Sequence, residues 1–368
     1  MFVKTNYNEC LTNLACSIRK YFGLQYDHNT LQEIDDILSN NNPKNVVTIL
    51  LDGMGSNIMD DLLGYDSFLV NHRIKSIYSV FPATTVAATT SILTGKNPCE
   101  TAMLGWDMYY KDLDKIITTF RDCAKEDGSN TQLDEAKAYK AKHMITKTII
   151  DEINEEGKYK GYHISPYGLT TYSSYDEMFE LIEQMCNEDG KKYIYAYSED
   201  PDATMHRKGC RCTEVADKMR DFEGRIKTLS ERLKDTIIIV VADHGHINVE
   251  NIYLQDYPDV TECLLRNTSI EPRAVNFFIK DGMKEIFKEL FNKYFGNDFA
   301  LYDREDVISS HLFGDGSENE IFRDILGDFL AIAKTNKAML YIGNKSFKSQ
   351  HAGYTEDEIL VPLIVIET

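Results

Sequence analysis

Four segments of the chain combine β-branched, aromatic and aliphatic residues in short runs that lack the alternation of a half-buried strand. They are residues 45–51, 192–198, 236–242 and 359–366. Such runs are typical of strands that are buried on both faces of a sheet. Helix-periodic stretches, such as residues 176–186 and 212–233, lie between them. This alternation predicts an α/β fold with a largely parallel central sheet and helices on both faces.

Two stretches interrupt this pattern. Residues 273–341 contain a strand-like run, a helix-periodic segment and another short strand-like run, which predict a small α+β cap or insertion. Residues 107–158 are charged and form a second predicted insertion. We therefore assign residues 1–272 and 342–368 to the core domain, with the insertion 107–158 inside it, and residues 273–341 to the cap.

The charge of the chain excludes some partners. It has 40 lysines and arginines against 59 aspartates and glutamates, a net charge of −19, which repels the phosphates of nucleic acids. No run approaches the roughly 18 apolar residues of a membrane helix. The first residues lack the apolar segment and cleavage site of an export signal. We expect a cytoplasmic protein with a small-molecule substrate, bound to neither a nucleic acid polymer nor a membrane; its oligomeric state is not predicted.

Acidic residues and histidines cluster where these predicted strands end or begin. In open parallel sheets, ligands bind outside the carboxyl ends of the strands. Each residue alone is equally consistent with a helix cap or a core histidine, so only their joint placement points to a site. The candidates are Asp52, Asp202, His206, Asp243, His244 and His351.

Three carboxylates and three imidazoles form a mixed oxygen and nitrogen donor set, which suits zinc or a similar divalent cation. Six ligands are too many for one tetrahedral ion, so the set predicts two divalent cations, with zinc expected and manganese as the alternative. His246 is a further candidate, for which a supporting role is favoured. Cys210 and Cys212 are half of a thiolate site at most, because no second cysteine pair completes it.

A threonine-rich segment supplies a candidate nucleophile. The alanine-rich run after Thr85 suits a packed helix, which places Thr84 or Thr85 at its N-terminus, where free N–H groups favour an anion such as phosphate. A metal-bound hydroxyl there can lose its proton and attack. The alternative is an ordinary threonine cap.

These residues, together with Phe81-Pro82 and Thr94-Gly95, resemble the motifs of the alkaline phosphatase superfamily. The resemblance is to its type I phosphodiesterase/nucleotide pyrophosphatase branch, and the motifs follow the family order across residues 45–366. It implies an alkaline phosphatase-like α/β fold and Thr85 as both nucleophile and metal ligand. It also implies one ion held by Asp202, His206 and His351, and another held by Asp52, Asp243 and His244.

The sequence departs from this branch at two positions. Trp106 stands where the branch has a phosphoryl-binding asparagine, and Val86 stands where it often has a phenylalanine that stacks on a nucleobase. Trp106, Tyr109 and Tyr110 could form an aromatic wall instead, or be ordinary partly buried aromatics.

The resemblance implies a two-metal hydrolase of phosphate esters that forms a phosphothreonine intermediate, with a phosphodiesterase or nucleotide pyrophosphatase favoured. The alternatives are a phosphomonoesterase, a phosphonate hydrolase, a mutase-like transferase, or a catalytically silent metal-stabilised binding protein. A sulfatase is disfavoured, because the chain has no Cys-x-Pro-x-Arg motif from which a formylglycine could form.

Overall fold

The computed structural model of the protein describes residues 4–126 and 131–368. Its strands are β1 (Asn45–Leu51), β2 (Arg73–Tyr78), β3 (Asp107–Tyr110), β4 (Lys115–Thr118), β5 (Cys123–Ala124), β6 (Lys160–Ile164), β7 (Lys192–Ser198), β8 (Thr236–Val241), β9 (Ile247–Asn248), β10 (Glu250–Tyr253), β11 (Ser269–Glu271), β12 (Ala274–Phe277), β13 (Phe299–Asp303), β14 (Phe329–Ala333), β15 (Lys337–Leu340), β16 (Ser349–Gln350) and β17 (Leu360–Glu367).

Its α-helices are α1 (Leu11–Phe22), α2 (Gln32–Asn41), α3 (Ser56–Leu63), α4 (Phe68–Asn71), α5 (Thr85–Thr94), α6 (Pro98–Thr101), α7 (Asp134–His143), α8 (Ile149–Glu156), α9 (Tyr175–Asn187), α10 (Asp202–Lys208), α11 (Thr213–Arg232), α12 (Pro258–Thr261), α13 (Lys284–Phe295), α14 (Arg304–Ser309), α15 (Phe322–Ile325) and α16 (Glu356–Ile359). Within residues 4–126 and 131–368, every helix is too short or too polar to cross a bilayer.

The predicted central sheet is present, and its strand order is β2-β17-β8-β1-β7-β6. Strands β8, β1, β7 and β6 run parallel, whereas β17 is antiparallel to both of its neighbours. Every residue of β1 and β8 is buried, and successive side chains of a strand point to opposite faces. Both faces of the sheet are therefore covered, and the predicted α/β fold with a largely parallel sheet is confirmed.

The strand directions bring separate parts of the sequence to one edge of this sheet. The last residue of β1, Leu51, pairs with the last residue of β7, Ser198, and Leu50 pairs with the last residue of β8, Val241. Because β17 runs the opposite way, it begins at the edge where these strands end. The segment before β17, which contains His351, therefore lies beside the segments that follow β1, β7 and β8.

A second, antiparallel sheet has the order β13-β14-β12-β11-β3-β4-β5. It combines two segments that the sequence analysis treats as separate insertions, because β11 pairs with β3. The approach is close, since a Cβ on Gly105 would lie 2.9 Å from the Cα atom of Ile270. Strand β11 also precedes the predicted boundary at residues 272/273. The sheet thus extends beyond the predicted cap, and the division into domains stays a prediction.

A buried ion pair fixes the loop after His351 to the second sheet. Arg273 donates to Glu358 through Nε at 2.6 Å and Nη2 at 2.8 Å, and both side chains are fully buried. Glu358 also accepts a hydrogen bond from the backbone N–H of Gly353 at 2.7 Å. Burial opposes the charged form of Glu358, but Arg273 outweighs it and holds the pKa of this carboxyl below its usual value.

We expect Glu358→Gln to lower the free energy of unfolding by about 3–5 kcal/mol, because it leaves the Arg273 guanidinium buried without its counter-charge. Chemical denaturation at neutral pH measures this loss. The matched control is Glu183→Gln, which breaks an exposed ion pair with Arg232 of 3.2 Å and should cost less than about 1 kcal/mol. Equal losses in the two variants would contradict the role of the buried pair.

In the wild type, this stabilisation is present above the unfolded-state pKa of glutamate and is lost as the pH falls through the lower folded-state pKa.

Candidate metal centre

The predicted ligands converge in two neighbouring groups at the edge where β1, β7 and β8 end. Within each group, the potential ligand atoms all lie within 4.8 Å of one another. The rings of His244 and His351, one from each group, are stacked with centroids 3.8 Å apart. The first group contains Asp202, His206, His246 and His351, and the second contains Asp52, Asp243 and His244.

Helix α10 positions two members of the first group. It begins at Asp202, four residues after the end of β7, so Asp202 and His206 lie one helical turn apart on the same face. Their nearest atoms, Oδ1 and Nε2, are 3.2 Å apart. The backbone N–H of Asp202 donates to the carbonyl oxygen of Asp52 at 2.9 Å, which ties the two groups together.

Backbone turns position the second group. The N–H groups of Gly53 and His244 both donate to Asp243 Oδ1, at 3.0 and 2.9 Å. Gly53 has a φ of 77°, a conformation that favours glycine. A Cβ on Gly245 would lie 1.9 Å from the carbonyl oxygen of Asp357, so only glycine fits there. The backbone at this edge of the sheet therefore requires glycine at position 53, directly after Asp52, and at position 245, two residues after Asp243.

Three imidazoles share a hydrogen-bonding arrangement that suits a metal ligand. The Nδ1 atoms of His206, His244 and His351 contact the backbone carbonyls of Ser349, Gly245 and Ala83 at 2.8, 3.0 and 3.1 Å. A carbonyl can only accept, so each Nδ1 is the donor, which leaves Nε2 as the ring atom that faces a metal. Backbone carbonyls orient metal-binding histidines in this way.

His246 differs from these three imidazoles. Its Nε2 contacts Asp202 Oδ1, and its Nδ1 is buried without a hydrogen-bond partner among the described residues. This contact with the Asp202 carboxylate agrees with the supporting role favoured for it, although His246 also lies within ligand distance of the first group.

Asp52 and Asp243 are buried beside His244, whose Nε2 lies 3.3 Å from Asp52 Oδ1 and 3.6 Å from Asp243 Oδ2. Asp52 Oδ1 and Asp243 Oδ2 accept no hydrogen bond from residues 4–126 and 131–368. Burial and the neighbouring carboxylates raise the pKa of Asp52 well above its usual value, and burial raises the pKa of Asp243. Ionised carboxylates in such a place require a cation. The donor set and its orphaned oxygens therefore fit divalent cations.

Thr85 lies directly against the second group. It is the first residue of α5, as predicted, and its Oγ1 is 3.2 Å from His244 Nε2 and 3.4 Å from Asp52 Oδ2. Thr84 is the residue before the helix, but its side chain does not cap α5. Of the two candidate hydroxyls, that of Thr85 is the one that contacts the predicted ligands.

Two residues of this site were not identified from the sequence. Glu271 of β11 accepts hydrogen bonds from Thr84 Oγ1 at 2.5 Å and from the N–H of Trp106 at 2.9 Å, and burial raises its pKa to about 7. Tyr197 of β7 donates to Asp52 Oδ2. The local sequence identifies neither residue as part of a site. Strand β11 is only three residues long, and Tyr197 is indistinguishable from the other residues of a buried strand.

Of the two alternatives for the aromatic residues, the structure favours ordinary packing for Tyr109 and Tyr110 rather than a shared wall. Adjacent strand residues point to opposite faces. Tyr110 is fully buried and stacks on Tyr139, whereas Tyr109 packs against Phe278 on the other face. The half-buried Trp106 instead contacts Phe120 edge to face, with ring centroids 6.2 Å apart.

The cysteines do not contribute to either metal-binding group. All eight lie in the described residues, and all eight are free thiols there. Cys210 is buried, and burial raises the pKa of its thiol to about 12, so it is a poor thiolate ligand.

Comparison with protein-family models matches residues 46–354 to the type I phosphodiesterase / nucleotide pyrophosphatase family. The chain belongs to this family. The match confirms the resemblance found in the sequence and identifies a phosphoester hydrolase of a metal-dependent family. Among curated protein sequences, none matches the chain.

Solved structures show the same fold in members of this family and in a phosphonate hydrolase. Murine ectonucleotide pyrophosphatase / phosphodiesterase 5 is 15% identical, with a TM-score of 0.66 and 88% of each chain covered. An inactive variant of that protein in complex with AMP gives a TM-score of 0.63 at 15% identity, covering 86% of this chain and 87% of that one. Phosphonoacetate hydrolase from Sinorhizobium meliloti 1021, in complex with phosphonoformate, gives 0.63 at 15% identity, with 88% of this chain and 90% of that one covered.

Proposed function

We propose that this member of the family is a two-metal phosphodiesterase with Thr85 as its nucleophile. The observation that carries the proposal is the position of Thr85 Oγ1, 3.2 Å from His244 Nε2 and 3.4 Å from Asp52 Oδ2, at the N-terminus of α5. A hydroxyl at this place lies beside both a candidate metal group and the free N–H groups of a helix end, which bind phosphate.

Asp202, His206 and His351 would hold one divalent cation, and Asp52, Asp243, His244 and the Thr85 hydroxyl would hold the other. When bound, two such cations lower the pKa of a hydroxyl nucleophile and stabilise the oxygen that leaves phosphorus. Zinc suits the mixed imidazole and carboxylate donors, with manganese as the alternative.

The chain's own residues orient the reaction. Thr85 Oγ1 attacks phosphorus, and the departing alcohol takes up the proton that Thr85 loses, which leaves a phosphothreonine that still carries the second ester group. Water then attacks phosphorus, Thr85 regains a proton, and a phosphomonoester is released. Glu271 holds Thr84, and Tyr197 holds Asp52, so the groups on either side of Thr85 are fixed before substrate binds. Fixed dipoles of this kind stabilise the transition state without reorganisation.

The substrate class rests on the family and on its structural neighbours. AMP and phosphonoformate, which are bound to two of these neighbours, are small phosphorus-containing anions. Trp106 and Val86 replace the asparagine and phenylalanine expected of a nucleotide-specific member, so we propose a diester substrate without a strict nucleotide requirement. The cytoplasmic location stays a prediction.

A substrate panel tests this proposal with zinc- or manganese-reconstituted protein. We expect kcat/KM for an aryl phosphodiester to exceed that for the matching aryl phosphomonoester by at least about tenfold. A preference for the monoester, or for a phosphonate, would replace the proposal by the corresponding alternative activity. Full metal occupancy with no activity on the whole panel would indicate a silent binding protein.

A further inference from the structure

A cavity of about 700 Å³ borders the metal centre at His206. Its walls come from the end of α10, from Asn248, Val249 and Asn251, and from residues 346–348. Ligand-binding cavities usually measure roughly 300–1,000 Å³, so this one can hold a substantial part of a small molecule.

The cavity is positively charged in a chain that is negative overall. Arg207, Lys208 and Lys348 line it, and no aspartate or glutamate does among the described residues. Lys208 is paired with Glu214 at 3.3 Å, whereas Arg207 and Lys348 form no ion pair within residues 4–126 and 131–368. In a protein of net charge −19, such a cavity concentrates positive potential at one place.

The cavity wall is tied to the metal centre by short contacts. The N–H of Lys348 donates to the carbonyl oxygen of His206 at 2.9 Å, and His206 Nδ1 donates to the carbonyl oxygen of Ser349 at 2.8 Å. The ring of Phe347 packs against the imidazole of His206 with centroids 4.4 Å apart. A molecule in this cavity therefore lies next to a residue of the first metal-binding group.

We propose, on the basis of the proposed function, that this cavity binds a second anionic group of the substrate, a carboxylate or a phosphate. The guanidinium of Arg207 can bind such a group in a bidentate manner, Lys348 adds a point charge, and Phe347 provides an apolar surface for the connecting carbon atoms. The preferred substrate is then a phosphoester with a further negative charge away from the scissile phosphate.

Two matched substrates test this inference: 4-nitrophenyl phenyl phosphate and its analogue with a carboxylate on the phenyl ring. We expect the double variant Arg207→Gln/Lys348→Gln to raise KM for the carboxylated diester by about fivefold or more, while KM for the diester without the carboxylate changes less than about twofold. The difference between the effects of the double variant on the two KM values should become smaller at high ionic strength, because salt screens the charges. Lys227→Gln removes a charge from the exposed face of α11, outside the cavity, and should change neither KM.

A binding measurement separates this inference from the proposed function. The affinities of non-hydrolysable phosphonate analogues of the two diesters are measured by calorimetry with metal-loaded wild type and the double variant. Weaker binding of the carboxylated analogue alone would support the anionic subsite, whereas equal changes for both analogues, or no change, would overturn it. Failure of the wild type to hydrolyse either diester would reject the proposed function, and the calorimetry would still test the cavity.

Discussion

Thr85→Ala should abolish hydrolysis of an aryl phosphodiester, with kcat falling by at least about a thousandfold, while the protein keeps its metal ions. The reason is that Thr85 Oγ1 is the hydroxyl that lies against both His244 and Asp52. Stopped-flow or steady-state release of 4-nitrophenolate measures the loss, and mass spectrometry of wild type that is acid-quenched during turnover of 4-nitrophenyl phenyl phosphate should detect a phenyl phosphate group on the peptide that contains Thr85.

Two variants of neighbouring threonines control this experiment. Thr90→Ala removes a buried hydroxyl of the same helix that donates to the carbonyl oxygen of Val86, at 2.7 Å, and should retain most of the activity. Thr84→Ala removes the bond to Glu271 and should lower activity without abolishing it. Full activity of Thr85→Ala together with loss in Thr84→Ala would reassign the nucleophile to Thr84.

Asp243→Asn should remove one of two metal ions and lower activity by more than about a hundredfold, since even residues that only orient metal ligands typically contribute 10–100-fold. Its Oδ1 already accepts two backbone N–H bonds, so its orphaned Oδ2 is the atom available to a cation. The amide keeps the shape of the carboxylate but loses its charge. Elemental analysis of purified variant and wild type measures the change in metal content per chain.

Asp35→Asn is the matched control for the loss of a buried carboxylate. Asp35 is also buried, but it accepts hydrogen bonds from Lys20 and Thr30 at 2.6 and 2.7 Å and does not belong to either metal-binding group. It should keep two ions per chain and nearly full activity. Unchanged metal content in Asp243→Asn would exclude Asp243 as a ligand.

The central sheet was predictable because its strands are buried on both faces and therefore appear as unbroken apolar runs. The direction of β17 was not, since a parallel and an antiparallel buried strand have the same composition. The second sheet was missed as a unit because β11 has only three residues and pairs with β3, more than 150 positions earlier in the chain. Strands that pair across such a long stretch of chain leave no pattern in the local sequence from which the pairing could be predicted.

The predicted ligands were recognisable because each lies next to a strong strand signal, and the structure brings all of them together. The hydrogen-bond partners that orient them were not predictable. Glu271 and Tyr197 act on the site from strands whose local sequence only indicates burial, and the carbonyls that orient His206, His244 and His351 belong to the backbone, which the sequence does not distinguish.

The most direct test of the two-ion centre is an anomalous X-ray diffraction measurement at the zinc edge on crystals of zinc-reconstituted protein. We expect two peaks about 4 Å apart, one surrounded by Asp202, His206 and His351, and the other by Asp52, Asp243, His244 and the Thr85 hydroxyl. A single peak, or peaks outside these two groups, would contradict a paired metal centre beside Thr85.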